Sequence, residues 1–502
     1  MRRYILILII LASIGYNAYS KPIYVRPNWI LKYTGDIKLT VYTLKPTSYP
    51  IDPKICLEVE VELNNSRNTY KGCYLLKTGH RISGNLPWSV FPLIIPRYLD
   101  LNSSIEFDDG EWRSTGFEYI IFKGYGIKTI VFSRGKLYRL YDWNTGLLIK
   151  GYISFSGKYY LIELNDTNLE WIYIRYRNFY VDYRNLTIYL MEMNRSYTYV
   201  YLHSIGKSVL GNDIWALEIG PRSGRAIVVS SCIHGPEMLG IKVSIYAINR
   251  IVSNKTIIDS LKNRNIKLVF IMPLNPDGLE FSKLAPPERE YRGYVRKNAR
   301  YVDLNRNFNF SWNTQRASAD VNAWNYKGPS PLSEPEAVAF SSYIAGEDVI
   351  MHIDLHTGEY GVVIPPAYGG KVDKLAEYIG KKIAEMMNLP YYRGSIISAA
   401  YLQTYMIYQK GLTLAFIIEL HTSDSLRWFE RYNVISQSKL NDISEKFYKM
   451  IAYFADEFDW NNIKIPEEEP SYSRLAIVTL IAIILAAMIV AIYRMAKQGY
   501  RV

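Results

Sequence analysis

Six histidines occur in the chain, at positions 80, 203, 234, 352, 356 and 421. Three of them stand in segments whose residue types can do chemistry. The first segment is Ser231-Cys232-Ile233-His234-Gly235-Pro236-Glu237, which follows an apolar run and opens a helical pattern. Active groups in α/β sheets gather at such strand ends. An imidazole and a carboxylate three residues apart across the turn can face one point as a zinc-ligand pair. The second segment is Arg296-Lys297-Asn298, followed by Asp303-Leu304-Asn305-Arg306-Asn307-Phe308. Guanidinium forks there suit an anion held bidentately; the alternative is a solvated loop. The third is Met351-His352-Ile353-Asp354-Leu355-His356-Thr357-Gly358. A histidine ending a buried strand before a glycine turn can supply a third ligand. His352 and His356 are both candidates, since residues four apart share one side of a strand. The fourth feature is Glu419, late in the apolar run from Gly411. A carboxylate there is costly unless paired or functional.

The elements that must position these residues change character near residue 200. Residues 21–198 read as β-structure. Ile55–Leu63 alternates apolar and acidic, and strand-like runs follow at Tyr119–Phe122, Lys128–Phe132, Tyr152–Phe155 and Trp171–Tyr176. Short strands with regular breaks predict a sandwich-like β-rich domain. Beyond residue 199, strand candidates at Ala226–Ser231, Lys267–Met272, Val349–Leu355 and Leu412–Leu420 alternate with helical patterns at Met238–Val252 and Lys371–Met387. That alternation predicts an α/β domain over 199–460 with a mixed, largely parallel sheet flanked by helices.

Taken together and in order, these motifs resemble the zinc metallocarboxypeptidases of the carboxypeptidase A and T type, over residues about 200–455. Asn275-Pro276-Asp277-Gly278, Ser333-Glu334-Pro335-Glu336 and Gly394-Ser395-Ile396-Ile397 leading to Tyr401 add to the likeness. The resemblance implies one Zn2+ per chain, held by His234, Glu237 and His356. It implies Glu419 as general base, Arg296 as oxyanion stabiliser, and Asn305 and Arg306 as the grip on the substrate's C-terminal carboxylate. Tyr401 would close over the substrate, and Asp303 would orient His234. The implied reaction is removal of a C-terminal amino acid from a peptide or protein. Rival expectations are a zinc amidase or deacylase on the same fold, acting on N-acyl amino acids or cell-wall peptides, and a non-catalytic surface-binding protein. His421 stands where the carboxypeptidase A branch usually has Arg, and the stretch between Tyr401 and Glu419 is short. The side-chain preference is therefore not carried over.

The two ends and the composition set the expected compartment. Residues 1–20 read as a signal peptide: Arg2 and Arg3, an apolar run, then Ala18-Tyr19-Ser20. Residues 461–474 form a charged stalk. Residues 475–493 carry an uncharged run of 18, about 27 Å as a helix, enough for one membrane crossing. A basic tail, 494–502, follows and is expected on the cytoplasmic side. The expectation is a single-pass cell-membrane protein with its catalytic domain outside. Cys56 and Cys73 lie in one β-rich stretch and can pair, leaving Cys232 as a buried thiol. Net charge is +12, but no Lys/Arg run of five or more occurs, which argues against nucleic acid as a partner. With 49% hydrophobic and 21% charged residues, wholesale disorder is excluded.

Overall fold

The computed structural model describes residues 23–463 except 91, 96, 311, 314–315, 365–370, 394–401, 409–410 and 412–413, together with 484–485 and 487–490. The expected signal peptide, most of the expected membrane span and Tyr401 lie outside the described residues. Among the described residues, no helix is long and apolar enough to cross a membrane. Residues up to Phe458 form one compact unit and Asp459–Val502 another.

The first 167 residues of the chain supply one antiparallel sheet of eleven strands. Five strands run outward from Ile30–Gly35. Six return to it, ending in Lys158–Thr167, which pairs with Ile30–Gly35. The ladder is continuous, so the expected sandwich of two sheets is corrected to one sheet. A twisted sheet of this width curls, and this one folds over until distant strands touch. The Tyr70 ring lies 6.0 Å from Phe155, five strands away in the order, and Trp88 Nε1 donates to Ser154 O at 2.8 Å. The face-to-face burial of a sandwich is thus made by one rolled ladder. Cys56 and Cys73 are direct partners in that ladder and are disulfide-bonded; Cys232 is free and buried.

Two helices interrupt the region read as β. Trp171–Tyr176 is not a strand: after a two-residue pairing at Glu170–Trp171 the chain turns into helix Ile172–Arg175. Tyr183–Ser196 is a four-turn helix, with Asp182 capping it by accepting from Asn185 N and with Leu186 and Leu190 buried one turn apart. The cap and the i, i+4 apolar pair favour helix over the aromatic content of the segment.

Among the described residues the second sheet has eight strands. Its order is Val200–Lys207, Asp213–Ile219, Ile266–Ile271, Arg225–Ser231, Val349–His356, Ala415–Glu419, Gly361–Ile364 and Tyr391–Arg393. Four neighbouring pairs are parallel and three antiparallel. The central parallel strands are buried on both faces, which is why Ile266–Ile271 and Ala226–Ser231 read as nearly unbroken apolar runs. Helices Leu239–Val252, Lys371–Met387 and Gln437–Asp456 pack together on one side. Pro335–Ala345 and Leu402–Tyr408 join the core of the other through Ala337, Phe340, Leu402 and Met406.

The rolled sheet is bonded into this α/β body. Arg26 is fully buried, and its Nη2 donates to the carbonyls of Lys297 at 2.8 Å and Asn298 at 2.7 Å. Its guanidinium lies over the Phe281 ring, 3.6 Å from the centroid. Trp29 Nε1 donates to Tyr291 Oη at 3.0 Å, and Tyr49 Oη to Glu334 Oε1 at 2.9 Å. The loop carrying Arg296 is therefore held from residue 26. Arg26→Met leaves two buried carbonyls without that donor, and the expected loss is about 1–3 kcal/mol. It should appear as a lower urea midpoint at unchanged slope. An unaltered midpoint would show the clamp to be dispensable.

Candidate metal centre and catalytic cleft

The carboxyl ends of the central strands converge on three of the four motifs. Strand Arg225–Ser231 ends at the turn holding His234 and Glu237. Gly235 in that turn has no alternative: a Cβ there would lie 2.3 Å from the carbonyl carbon of Gly278. Asn275 makes the close approach regular. Its side chain accepts from Gly278 N at 2.8 Å and donates to Ile233 O at 3.2 Å. Strand Val349–His356 alternates strictly, so His352, Asp354 and His356 face one side while Met351, Ile353 and Leu355 face the other. His356 pairs across the ladder with Glu419, placing the third ligand candidate beside the fourth motif.

His234, Glu237 and His356 form one buried cluster, with potential ligand atoms all within 4.8 Å of one another. His234 Nδ1 lies 2.8 Å from Glu237 Oε1, and His356 Nδ1 lies 3.0 Å from Glu237 Oε2. Both rings turn the same nitrogen inward. Their outer nitrogens meet carboxylates: His356 Nε2 is 2.8 Å from Asp354 Oδ2, and His234 Nε2 is 3.3 Å from Asp303 Oδ1, off the line of a full hydrogen bond. Such outer carboxylates fix the tautomer of a metal-binding histidine. Two imidazole nitrogens and one carboxylate, buried and convergent, fit a zinc ion with a position left open.

The surrounding charges are bound to one another. Asp303, fully buried, accepts from Arg296 Nε at 2.9 Å and from Asn305 N at 3.1 Å, with Arg306 Nη1 at 3.9 Å. Burial opposes its ionisation, yet Arg296 and Arg306 hold it well below the usual carboxylate range. Arg296 also reaches to 3.7 Å from Glu237. Asn305 Oδ1 accepts from Leu402 N at 2.8 Å, which fixes the Asp303–Asn307 segment to helix Leu402–Tyr408. Asn298, beside Arg296, donates to Glu334 and Glu336 at 2.7 and 3.0 Å, giving the Ser-Glu-Pro-Glu motif its place in the site. Burial pushes the Glu419 carboxyl up to about 7, with Glu237 and Glu359 adding to the rise and His356 opposing it.

The structure thus gathers His234, Glu237, His356, Asp303, Arg296, Asn305, Arg306 and Glu419. His352 is not in the cluster; its Nε2 lies 2.9 Å from Ser230 Oγ, behind the site. His421 is buried, its Nε2 3.2 Å from Val434 O, while its carbonyl accepts from Gly358 N. Sequence reasoning missed Asp354 as the partner of His356, although an Asp two residues before a histidine on a strand shares its face. It also missed Ser230, whose hydroxyl donates to Asp354 Oδ1 at 2.7 Å.

The family profile described as zinc carboxypeptidase matches residues 186–440, about half of the chain. The chain belongs to the zinc carboxypeptidase family. Carboxypeptidase D of Drosophila melanogaster is 31% identical over 182 residues, covering 34% of this chain and 12% of that protein. Carboxypeptidase M of Mus musculus is 28% identical over 185 residues, covering 34% and 37%. An inactive metallocarboxypeptidase of Paracoccidioides brasiliensis is also similar, 26% identical over 200 residues, covering 35% and 32%. The crystal structure of carboxypeptidase A from Helicoverpa armigera aligns at 23% identity and a TM-score of 0.47, covering 55% of this chain and 73% of that one. The chain spans about one eighth to a little over a third of the first two curated relatives it matches.

Asp354→Asn keeps the shape of the side chain and removes the charge that orients His356. Metal retention against a competing chelator should weaken roughly 10–100-fold, with His352→Ala, which removes a more distant ring, changing it far less. Equal retention in Asp354→Asn and the parent protein would remove Asp354 from the site.

Proposed function

We propose that this protein is a zinc-dependent metallocarboxypeptidase that hydrolyses the C-terminal peptide bond of extracellular peptides or proteins. The observation that carries the reading is the juxtaposition of the His234–Glu237–His356 cluster with a half-buried Glu419 directly across the ladder from His356. Zinc held by those three side chains would polarise the scissile carbonyl and make water acidic enough to attack near neutral pH.

The remaining work falls to the chain's own groups. Glu419, whose carboxyl sits at about 7, takes the proton of the attacking water and delivers it to the leaving amine. Arg296, fixed by Asp303, offers a guanidinium to the developing oxyanion. Asn305 and Arg306 grip the substrate's terminal carboxylate, and Tyr401 closes over it. A free carboxylate is thereby required at the end of the substrate. We place the catalytic domain outside the cell, tethered by a helix at 475–493. The Cys56–Cys73 disulfide and the signal-like N-terminus support that placement.

The test is a peptide panel followed by mass spectrometry. Single residues should leave stepwise from the C-terminus, amidated peptides should survive intact, and chelation should stop the reaction. Glu419→Gln should lower kcat by roughly 10²–10⁴-fold while zinc remains bound. Bound zinc with no trimming of any free-carboxylate peptide would overturn the reading.

A further inference from the structure

Glu359 has no task in the reaction just described. It lies three residues past His356 and is exposed. Its backbone N–H donates to Glu419 Oε2 at 3.3 Å, so its side chain starts beside the proposed base. Its own carboxylate accepts from Tyr392 Oη at 3.2 Å. Among the described residues no Lys, Arg or His pairs with it; Arg393, next to Tyr392, is engaged by Glu377. The loop is built to stay in place. Gly358 has φ +116°, its Cβ position is filled by the Tyr432 ring, and its carbonyl accepts from Arg431 Nη2 at 3.3 Å.

Charge is distributed unevenly about Glu419. The cations Arg296 and Arg306 both face Asp303, and the segment they belong to is tied through Asn305 to helix Leu402–Tyr408. That flank suits the anionic end of a substrate. Glu359 is tied instead to the edge strand Tyr391–Arg393 and keeps an exposed negative charge on the Glu419 side of the site. Opposite charges on the two flanks demand opposite charges along the substrate, and in a chain of net charge +12 this local reversal of sign is available for selection.

Resting on the carboxypeptidase reading, we infer that Glu359 recognises a cationic side chain on the residue just before the scissile bond. The preferred substrates are then peptides with Lys or Arg at the penultimate position. The departing residue itself carries no such requirement.

The full-length protein and N-acetylated peptides that differ only at the penultimate residue (Lys, Met or Glu, with one neutral C-terminal residue) test this. kcat/KM should rank Lys above Met above Glu. Glu359→Gln should cut the Lys-to-Met ratio about two- to fivefold, as for a partly exposed ion pair. Glu359→Asp should keep much of the ratio, Glu359→Lys should reverse the ranking, and added salt should shrink the preference. A Lys-to-Met ratio unchanged in Glu359→Gln, or a preference for Lys only as the C-terminal residue, overturns the assignment. Trimming that ignores penultimate charge sinks this inference alone. Failure to trim every peptide sinks the carboxypeptidase reading and this inference with it.

Discussion

A carboxylate buried away from water must be partnered or it will not stay ionised. Glu237 meets that constraint with two imidazoles, a backbone N–H from Thr357 and the edge of the Arg296 guanidinium. Burial works against its charge, and His234 and His356 nevertheless hold its carboxyl below the usual range. Everything else in the site follows from supplying those partners. His356 has to end a central strand, and His234 has to sit one turn before a helix. Each ring then needs an outer carboxylate, which Asp354 and Asp303 provide. Asp303 in turn draws in Arg296 and Arg306. The candidate metal cluster and the Asp303–Arg296–Arg306 cluster are therefore one electrostatic network.

The sheet is the device that makes this network rigid. Parallel strands Arg225–Ser231, Val349–His356 and Ala415–Glu419 lie side by side, so their carboxyl ends deliver His234, His356 and Glu419 to one place. Ser230 and Asp354 are register partners in the same ladder, which extends the polar row behind His356 to His352. The rolled N-terminal sheet contributes at a distance. Arg26 is 271 positions from Lys297 in sequence, yet it holds the loop on which Arg296 stands.

How much of this the sequence disclosed depended on how local each cause was. The strand ends around His234, His356 and Glu419 were legible because a polar residue closing an apolar run is itself an anomaly. Helix Lys371–Met387 was legible from its period alone. Helix Tyr183–Ser196 was hidden by a region of strands rich in aromatic residues, and only the Asp182 cap and the Leu186–Leu190 pair marked it. The roll of the N-terminal sheet, which replaced the expected sandwich, depends on contacts such as Tyr70 with Phe155 that no local pattern encodes. Arg26 was illegible for the same reason: one arginine near the start of a chain carries no sign of the carbonyls it will meet. Glu359 was overlooked because an acid in a turn is ordinarily solvated, and its meaning comes only from lying next to Glu419.

The most direct test of the account is X-ray absorption at the zinc edge on the full-length protein, with metal content measured in parallel. About one zinc per chain is expected, with nitrogen and oxygen neighbours at about 2.0–2.2 Å and no sulfur in the shell. In the variant His356→Ala the metal should be lost or one imidazole should vanish from the spectrum. A sulfur neighbour at about 2.3 Å, or an unchanged spectrum and full zinc in His356→Ala, would place the metal elsewhere and contradict the account.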